Sequence, residues 1–144
     1  MTRIFTIPPS ERPDTERATI DSWKTHPAPA QREDLGFYAT FTKPEAGALK
    51  RGFIPRDMDD RWFICFHDSW LLFYRSWTSY CIYGLRLDPT PEGMKVMESW
   101  VSRDPEQYRG TDIEDDRRLV RHLIDELLLN RPESLPVSGS TQDP

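Results

Sequence analysis

A dense aromatic stretch limits the fold more strongly than any other feature of the sequence. Nine of the 22 residues from position 62 to position 83 are aromatic. Aromatic and β-branched residues favour strands, and short polar breaks divide this stretch at 68–69, near 77–78 and at 88–93. The pattern predicts an antiparallel meander with strands at about 61–67, 70–76, 79–88 and 94–102. A further strand is expected within 36–42.

A C-terminal helix is predicted after the meander. Thr111 and Glu114 form a capping-box pattern, and acidic residues fill the first turns, where the helix dipole favours negative charge. Apolar residues then recur at helical spacing. They are Leu119, Val120, Leu123, Ile124, Leu127 and Leu128. The helix is expected to end near Asn130, ahead of Pro132. The predicted fold class is α+β: a four- to five-stranded antiparallel meander with a C-terminal amphipathic helix packed on one face.

The chain length of 144 residues suits one domain. Five of the thirteen prolines lie in the first thirty residues, which predicts irregular chain there, interrupted by a short helix between Asp14 and Lys24. Ile20 and Trp23 are the apolar pair of that helix. We therefore predict a Pro-rich N-terminal arm at 1–35, a single α+β domain at 36–130 and a flexible tail at 131–144.

Two-residue hairpin loops would fix which side chains share a face of the sheet. One predicted face carries Trp62, Ile64, Phe66, Leu71, Phe73, Arg75, Tyr80 and Ile82. The other carries Phe63, Cys65, His67, Trp70, Leu72, Tyr74, Cys81, Tyr83 and Leu85. Both faces are apolar, and one helix covers only one of them. The N-terminal arm is expected to cover the second face, with a homodimer as the alternative.

The two cysteines and the net charge limit the compartment and the partners. Cys65 and Cys81 share a predicted face but lie two strands apart, about 10 Å, which is too far for a disulfide. We expect buried free thiols and a cytoplasmic protein. The formal charge of −5 argues against nucleic-acid partners. No apolar run is long enough for a transmembrane helix and no secretory signal is recognisable, so no membrane association is expected.

Arg75 and its aromatic neighbours form the main candidate site. In the predicted register Trp62, Arg75 and Tyr80 are cross-strand neighbours, and Trp77 and Thr78 lie in the turn beside them. Aromatic rings, an arginine and hydroxyl groups together suit a planar anionic ligand. We predict these five residues as ligand-binding. The alternative is that Arg75 bonds turn carbonyls while its stem covers Trp62.

The other polar clusters favour structural roles. Asp57, Asp59 and Asp60 could gather a hard cation, but flanking arginines favour a solvated strand entry. His67-Asp68 resembles part of an acid–base pair, although Asp68 heads a tight turn. The charged segment 103–110 is expected to be a linker, in which Tyr108 either anchors the chain or borders a pocket. The sequence contains no GxGxxG, Walker, HExxH, GxSxG or CxxC motif. No catalytic residue, metal ligand or cofactor is predicted.

Three stretches carry a family resemblance: MDDRWF at 58–63, RSWT at 75–78 and RDPEQYRGTD at 103–112. With these stretches the chain resembles a family of small uncharacterised bacterial proteins over residues 36–130. The resemblance implies a bacterial cytoplasmic origin and a single compact domain. It implies no activity.

The sequence therefore predicts a small acidic bacterial binding module that engages a protein partner or a small anionic ligand through the aromatic–Arg patch. One alternative is an enzyme acting on a nucleotide-like or ADP-ribose-like phosphoester. In that enzyme Arg75 would hold the phosphate, and Asp59 or Asp60 would hold a metal or act as base. The other alternative is a structural homodimer that buries the second apolar face.

Overall fold

A computed structural model describes residues 17–131, which form six strands and two helices. The elements in chain order are β1 (Arg32–Asp34), β2 (Thr40–Thr42), α1 (Lys43–Arg51), β3 (Trp62–His67), β4 (Trp70–Arg75), β5 (Cys81–Thr90), β6 (Gly93–Ser102) and α2 (Ile113–Leu123). α2 continues into a π-helical segment, Ile124–Leu128. The α+β class and the C-terminal helix are confirmed. The strand count is higher than the predicted four to five, because β1 and β2 both join the sheet.

All strands belong to one antiparallel sheet with the order β1-β6-β5-β4-β3, and β2 pairs with the other end of β6. The β3–β4 hairpin has the predicted register, from Trp62 opposite Arg75 to His67 opposite Trp70. Its loop residues Asp68 and Ser69 both have positive φ, 51° and 72°. This backbone suits the right-handed twist of the flanking strands, so the two-residue loop sets the register.

The β4–β5 register differs from the prediction because β5 contains a β-bulge. Tyr74 pairs with Cys81, but Phe73 pairs with Tyr83, so Ile82 is an extra residue on β5. A shift of one residue moves the side chains that follow to the opposite face of the sheet. Tyr83 and Leu85 therefore pack in the larger core with Phe73, and the prediction that placed them beside Cys81 is wrong.

The start of α2 differs from the prediction by one residue. The N-cap of α2 is Asp112, not Thr111, and its carboxylate accepts the backbone N–H groups of Glu114 (2.9 Å) and Asp115 (3.3 Å). A carboxylate at this position also interacts favourably with the helix dipole. The helical segment ends close to Asn130 as predicted, and Asn130 has a left-handed φ of 58°.

None of the helices within residues 17–131 is long and apolar enough to cross a membrane.

Each face of the sheet is covered by a different part of the chain. The larger core lies between one face and the two helices, which contribute Leu49, Val120 and Ile124, all fully buried. On the other face Ala18, Ile20 and Trp23 pack against Phe63, Cys65, Tyr74 and Cys81. The N-terminal segment therefore covers the second apolar face, as expected from the sequence.

The N-terminal segment covers this face without a helix. Over residues 17–24 the chain forms irregular structure with one turn, in which Ser22 N–H donates to the Thr19 carbonyl at 2.9 Å. The hydroxyl of Ser22 accepts the Thr19 N–H, and Ala18 N–H bonds to the Arg51 carbonyl. These backbone groups are bonded outside a helix, so the helix prediction is wrong for 17–24. Residues 14–16, and 132–144 of the predicted tail, lie outside the described residues.

Candidate functional site

The predicted ligand residues meet at one end of the sheet, where β3 begins, β4 ends and β5 begins. We call this region the loop end; it comprises Trp62, Arg75, Tyr80 and the loop 76–79 that joins β4 to β5. Arg75 N–H donates to the Tyr80 carbonyl at 2.9 Å, and Ser79 N–H donates to the Arg75 carbonyl at 2.8 Å. Ser79 has a φ of 69°, which closes the loop.

Arg75 lies against Trp62 on the helix-covered face. Its guanidinium carbon is 4.9 Å from the centroid of the Trp62 ring, and Trp62 is only 7% exposed. Arg75 Nε is buried and has no hydrogen-bond partner within residues 17–131. Backbone N–H groups, rather than the Arg75 side chain, bond the turn carbonyls of Arg75 and Tyr80. The guanidinium thus stacks on an indole and keeps hydrogen-bonding capacity.

The N-terminal segment holds the loop 76–79 in place. The indole Nε1–H of Trp23 donates to the Ser76 carbonyl at 3.0 Å, and His26 N–H donates to the Ser79 carbonyl at 2.9 Å. The exposed His26 ring stacks on Tyr80 with 4.9 Å between ring centroids. These contacts come from the same segment that covers the second core, so the loop end is anchored to the body of the fold.

Trp77 extends from the loop into solvent and is nevertheless fixed by its neighbours. It is 62% exposed, its indole Nε1–H donates to the Met58 carbonyl at 3.1 Å, and the guanidinium of Arg61 lies 4.9 Å from its ring centroid. Met58 is itself 75% exposed. We call Met58, Arg61 and Trp77 the indole knob. Thr78, also exposed, follows Trp77 and accepts the Tyr80 N–H through its hydroxyl at 3.4 Å.

The predicted patch is therefore divided into two parts that adjoin at the loop. Trp62, Arg75 and Tyr80 form an inner part, whereas Trp77 and Thr78 lie on the outer surface. Sequence reasoning missed the contributions of Met58 and Arg61 to this surface. The sequence indicates Arg61 only as a partner of the neighbouring aspartates, and nothing in the local pattern indicates that the strand entry contacts the next hairpin loop.

The aspartates at the strand entry shape a turn. Asp57 accepts the N–H of Asp59, and Asp60 accepts the N–H of Arg56, both at 2.9 Å through side-chain carboxylates. Ser76 fastens this turn to the loop, because its hydroxyl donates to the Asp60 carbonyl at 2.7 Å. In the described part of the chain, no group of three or more His, Cys, Asp or Glu side chains is arranged to hold a metal ion.

The His67–Asp68 pair lies at the opposite end of β3. The imidazole and carboxylate are 3.4 Å apart, and both side chains are well exposed. Asp68 occupies the hairpin turn, as the sequence indicated.

A buried polar network that sequence reasoning missed joins the linker, the sheet and α2. Asp116 is 1% exposed and accepts hydrogen bonds from the hydroxyls of Tyr83 (3.0 Å) and Tyr108 (2.5 Å) and from the guanidinium of Arg103 (2.8 Å). Arg103 also binds Glu33 on β1 at 2.7 Å. Burial raises the pKa of Tyr83 far above its ordinary value, and the contacts with Tyr108 and Asp116 raise it further.

The linker that contains Tyr108 is thus anchored by this network, as expected. The Tyr83 ring also stacks on Trp62, with centroids 5.9 Å apart, so the network supports the inner part of the loop end. Every oxygen of the Asp116 carboxylate is bonded by a side chain of the fold. The arrangement is a structural lock, because both oxygens of this buried carboxylate hold β5, the linker and α2 together.

Both cysteines are buried free thiols, as expected. Burial raises the pKa of Cys65 and of Cys81 to about 12. A thiol is nucleophilic as the thiolate, so these two groups are inert at neutral pH.

The sequence matches no protein-family model, and comparison with curated proteins and with solved structures gives no significant match. The resemblance of the three stretches to a family of small bacterial proteins therefore stays a prediction.

Proposed function

We propose that this chain is a small acidic bacterial module, cytoplasmic in location, that binds a protein partner through the indole knob. The observation that carries the proposal is that Trp77 exposes 62% of its surface and is still held by a hydrogen bond and a stacked arginine. Restraining a surface indole brings little benefit if the indole has no binding role. An indole that enters a cleft of a partner binds at a lower entropic cost if its side chain is already restrained.

The energetics of protein interfaces support this use of the knob. Tryptophan and arginine are enriched among the residues whose truncation costs about 2 kcal/mol or more of binding energy. Ordering a mobile side chain on binding costs about 0.5–1.5 kcal/mol. Because Met58 and Arg61 already restrain Trp77, much of that cost is met when the chain folds.

The chemistry of the knob indicates what the partner presents. The apolar surface consists of the indole and the exposed Met58 side chain, which suit an apolar cleft. Arg61 lies beside them and offers a guanidinium to a carboxylate at the rim of that cleft. We therefore propose a partner with an apolar cleft bordered by an acidic residue.

The two alternatives have less support. For the phosphoester enzyme, Asp60 is engaged with a backbone N–H of its own turn, and its carboxylate shapes the strand entry. For the structural homodimer, the second apolar face was the reason to expect it, and Ala18, Ile20 and Trp23 cover that face. The binding module requires neither a free carboxylate nor an uncovered sheet face.

Site-directed photo-crosslinking in the native cell tests the proposal. A photoreactive amino acid at Thr78 lies next to the knob, and a control at the exposed Glu92 lies in the turn between β5 and β6 at the other end of the sheet. We expect a protein adduct from position 78 and none of the same mass from position 92. The adduct should disappear in Trp77→Ala and persist in Tyr38→Ala, which removes another exposed aromatic ring (67%). An adduct that survives Trp77→Ala would refute the proposal.

A further inference from the structure

The N-terminal segment is tied to the rest of the fold by few polar contacts. Over residues 19–30 it forms two hydrogen bonds with other segments of the described chain, and both go to the loop 76–79. Of residues 19–30 only Pro29 is buried, whereas Ile20 and Trp23 are partly buried. Local openings of a fold are concentrated in parts with few hydrogen bonds and little buried surface. The segment can therefore detach from the loop while the sheet stays intact.

The two hydrogen bonds of the segment lie on either side of the exposed indole. The Trp23 indole N–H donates to the Ser76 carbonyl at 3.0 Å, and the His26 N–H donates to the Ser79 carbonyl at 2.9 Å. Ser76 and Ser79 are 7% and 6% exposed, and Trp77, which follows Ser76 in the chain, is 62% exposed. The segment thus holds the loop at both ends of the stretch that carries Trp77 into solvent.

Ser76 is the residue through which the segment reaches the knob. Its carbonyl accepts the Trp23 indole, whose ring is directed by stacking on Phe63 with 6.1 Å between centroids. Its N–H donates to the Arg61 carbonyl at 2.8 Å, and its hydroxyl donates to the Asp60 carbonyl at 2.7 Å. Ser76 therefore joins the N-terminal segment to the strand entry, on which the knob is built. A shift of Ser76 moves the adjacent indole relative to the strand entry.

We propose that Trp23 is a positioning residue of the indole knob, and that the N-terminal segment thereby controls partner binding. Trp77 is held ready while the segment is seated on the loop, and it loses its fixed position when the segment detaches. Binding then has to restore the order of the loop, and the apparent affinity falls with the fraction of chains whose knob is held. This inference rests on the proposed function, because it assigns a control to the same surface.

Nuclear magnetic resonance on the full-length ¹⁵N-labelled chain tests the positioning role without a partner. Trp23→Phe keeps a ring for stacking but removes the donor to Ser76. We expect the Ser76 amide to exchange its hydrogen about fivefold faster, which is the effect of one neutral hydrogen bond on an equilibrium. The order parameter of the Trp77 indole N–H should fall in the same variant. Trp70→Phe is the matched control, because Trp70 is another partly buried indole and lies at the end of β4 opposite to the loop. It should leave both signals at their wild-type values.

Calorimetry with the partner that crosslinking identifies tests the control of binding. Trp23→Phe should weaken binding about two- to fivefold, and Trp70→Phe should bind like the wild type. A thermal melt confirms that each variant is folded. The inference is overturned by an unchanged Trp77 signal in Trp23→Phe, by the same changes in Trp70→Phe, or by wild-type affinity of Trp23→Phe.

The failure of this inference and the failure of the proposed function give different results. If Trp77→Ala weakens binding and Trp23→Phe does not, the knob remains the binding surface and only its control by the segment is refuted. If the adduct at position 78 survives Trp77→Ala, the knob itself is refuted as the binding surface, and the control of binding is refuted with it.

Discussion

Asp116→Asn is the most informative test of how the fold is held together. Asp116 is 1% exposed, and its carboxylate accepts three hydrogen bonds, from two phenols and a guanidinium. The substitution keeps the size of the side chain but removes its charge. It also places an amide N–H where an acceptor was needed. Arg103 keeps its hydrogen bond to Glu33 but loses the charged carboxylate of Asp116 as its buried partner.

The expected cost follows from this burial. Breaking a buried, hydrogen-bonded ion pair by removing one partner costs about 3–5 kcal/mol. The total unfolding free energy of a domain is about 5–15 kcal/mol. Asp116→Asn should therefore remove a large share of the stability of this chain, although Asp116 forms no hydrogen bond with Met58, Arg61 or Trp77.

Asp115→Asn is the matched control for this substitution. Asp115 precedes Asp116 in the first turn of α2, so both variants remove one negative charge from the same helix terminus. The Asp115 side chain is 67% exposed and pairs with Arg118 at the surface. An exposed pair of this kind contributes about 0–1 kcal/mol.

Urea unfolding at neutral pH, followed by tryptophan fluorescence, measures both variants. We expect Asp116→Asn to lower the unfolding free energy by about 3–5 kcal/mol and Asp115→Asn by less than about 1 kcal/mol. If the two variants lost similar amounts, the buried network would not be the structural lock described above.

Two further predictions concern the sheet. A Cβ at Gly84 would lie 2.5 Å from the Trp100 ring, so Gly84→Ala should lower the unfolding free energy by about 1–3 kcal/mol. Gly47 lies in α1 with open space around it, so Gly47→Ala should instead raise the unfolding free energy by up to about 1 kcal/mol. Urea unfolding of both variants compares the two effects. Burial raises the pKa of Cys65 and Cys81 from about 9 to about 12, so above pH 9 the unfolded chain loses thiol protons that the folded chain keeps. The contribution of the two buried thiols to the unfolding free energy is complete below pH 9. It should fall by about 1.4 kcal/mol per pH unit for each thiol up to pH 12. Unfolding curves at several pH values that show no such decline would contradict the burial of the thiols.

The central hairpins could be predicted from the sequence because their signals are local. Aromatic strands separated by Asp68-Ser69 fix the first hairpin, and both loop residues adopt the backbone that such a turn requires. The bulge at Ile82 could not be predicted in the same way. Both faces of the sheet are apolar, so the sequence of β5 is compatible with either register, and packing decides between them.

Other elements depend on contacts that are distant in the chain. β1 consists of three exposed charged residues and is a strand because it pairs with the long strand β6. α1 does have a local signal, a capping box of Thr42 and Glu45 with Pro44 at the helix start. Phe41 and Thr42 also fit the strand expected within 36–42, so the sequence supports two interpretations of these residues.

The candidate site was partly predictable for the same reasons. The register of one hairpin was sufficient to place Trp62 beside Arg75. The indole knob could not be predicted in this way. It depends on the contact between the strand entry at Met58 and the loop 76–79, and no periodicity of the sequence indicates that contact. Asp116 looked like one of several acidic residues that favour a helix start, and only the tertiary structure distinguishes it from Asp115.

The restrained, exposed indole of Trp77 is proposed as the contact surface for a protein partner. Once crosslinking identifies that partner, calorimetry with the purified pair gives the most direct measurement. We expect Trp77→Ala to weaken binding by about 2 kcal/mol or more, roughly thirtyfold, while Tyr38→Ala changes it by less than about 0.5 kcal/mol. Equal affinities for the wild type and Trp77→Ala would contradict the claim.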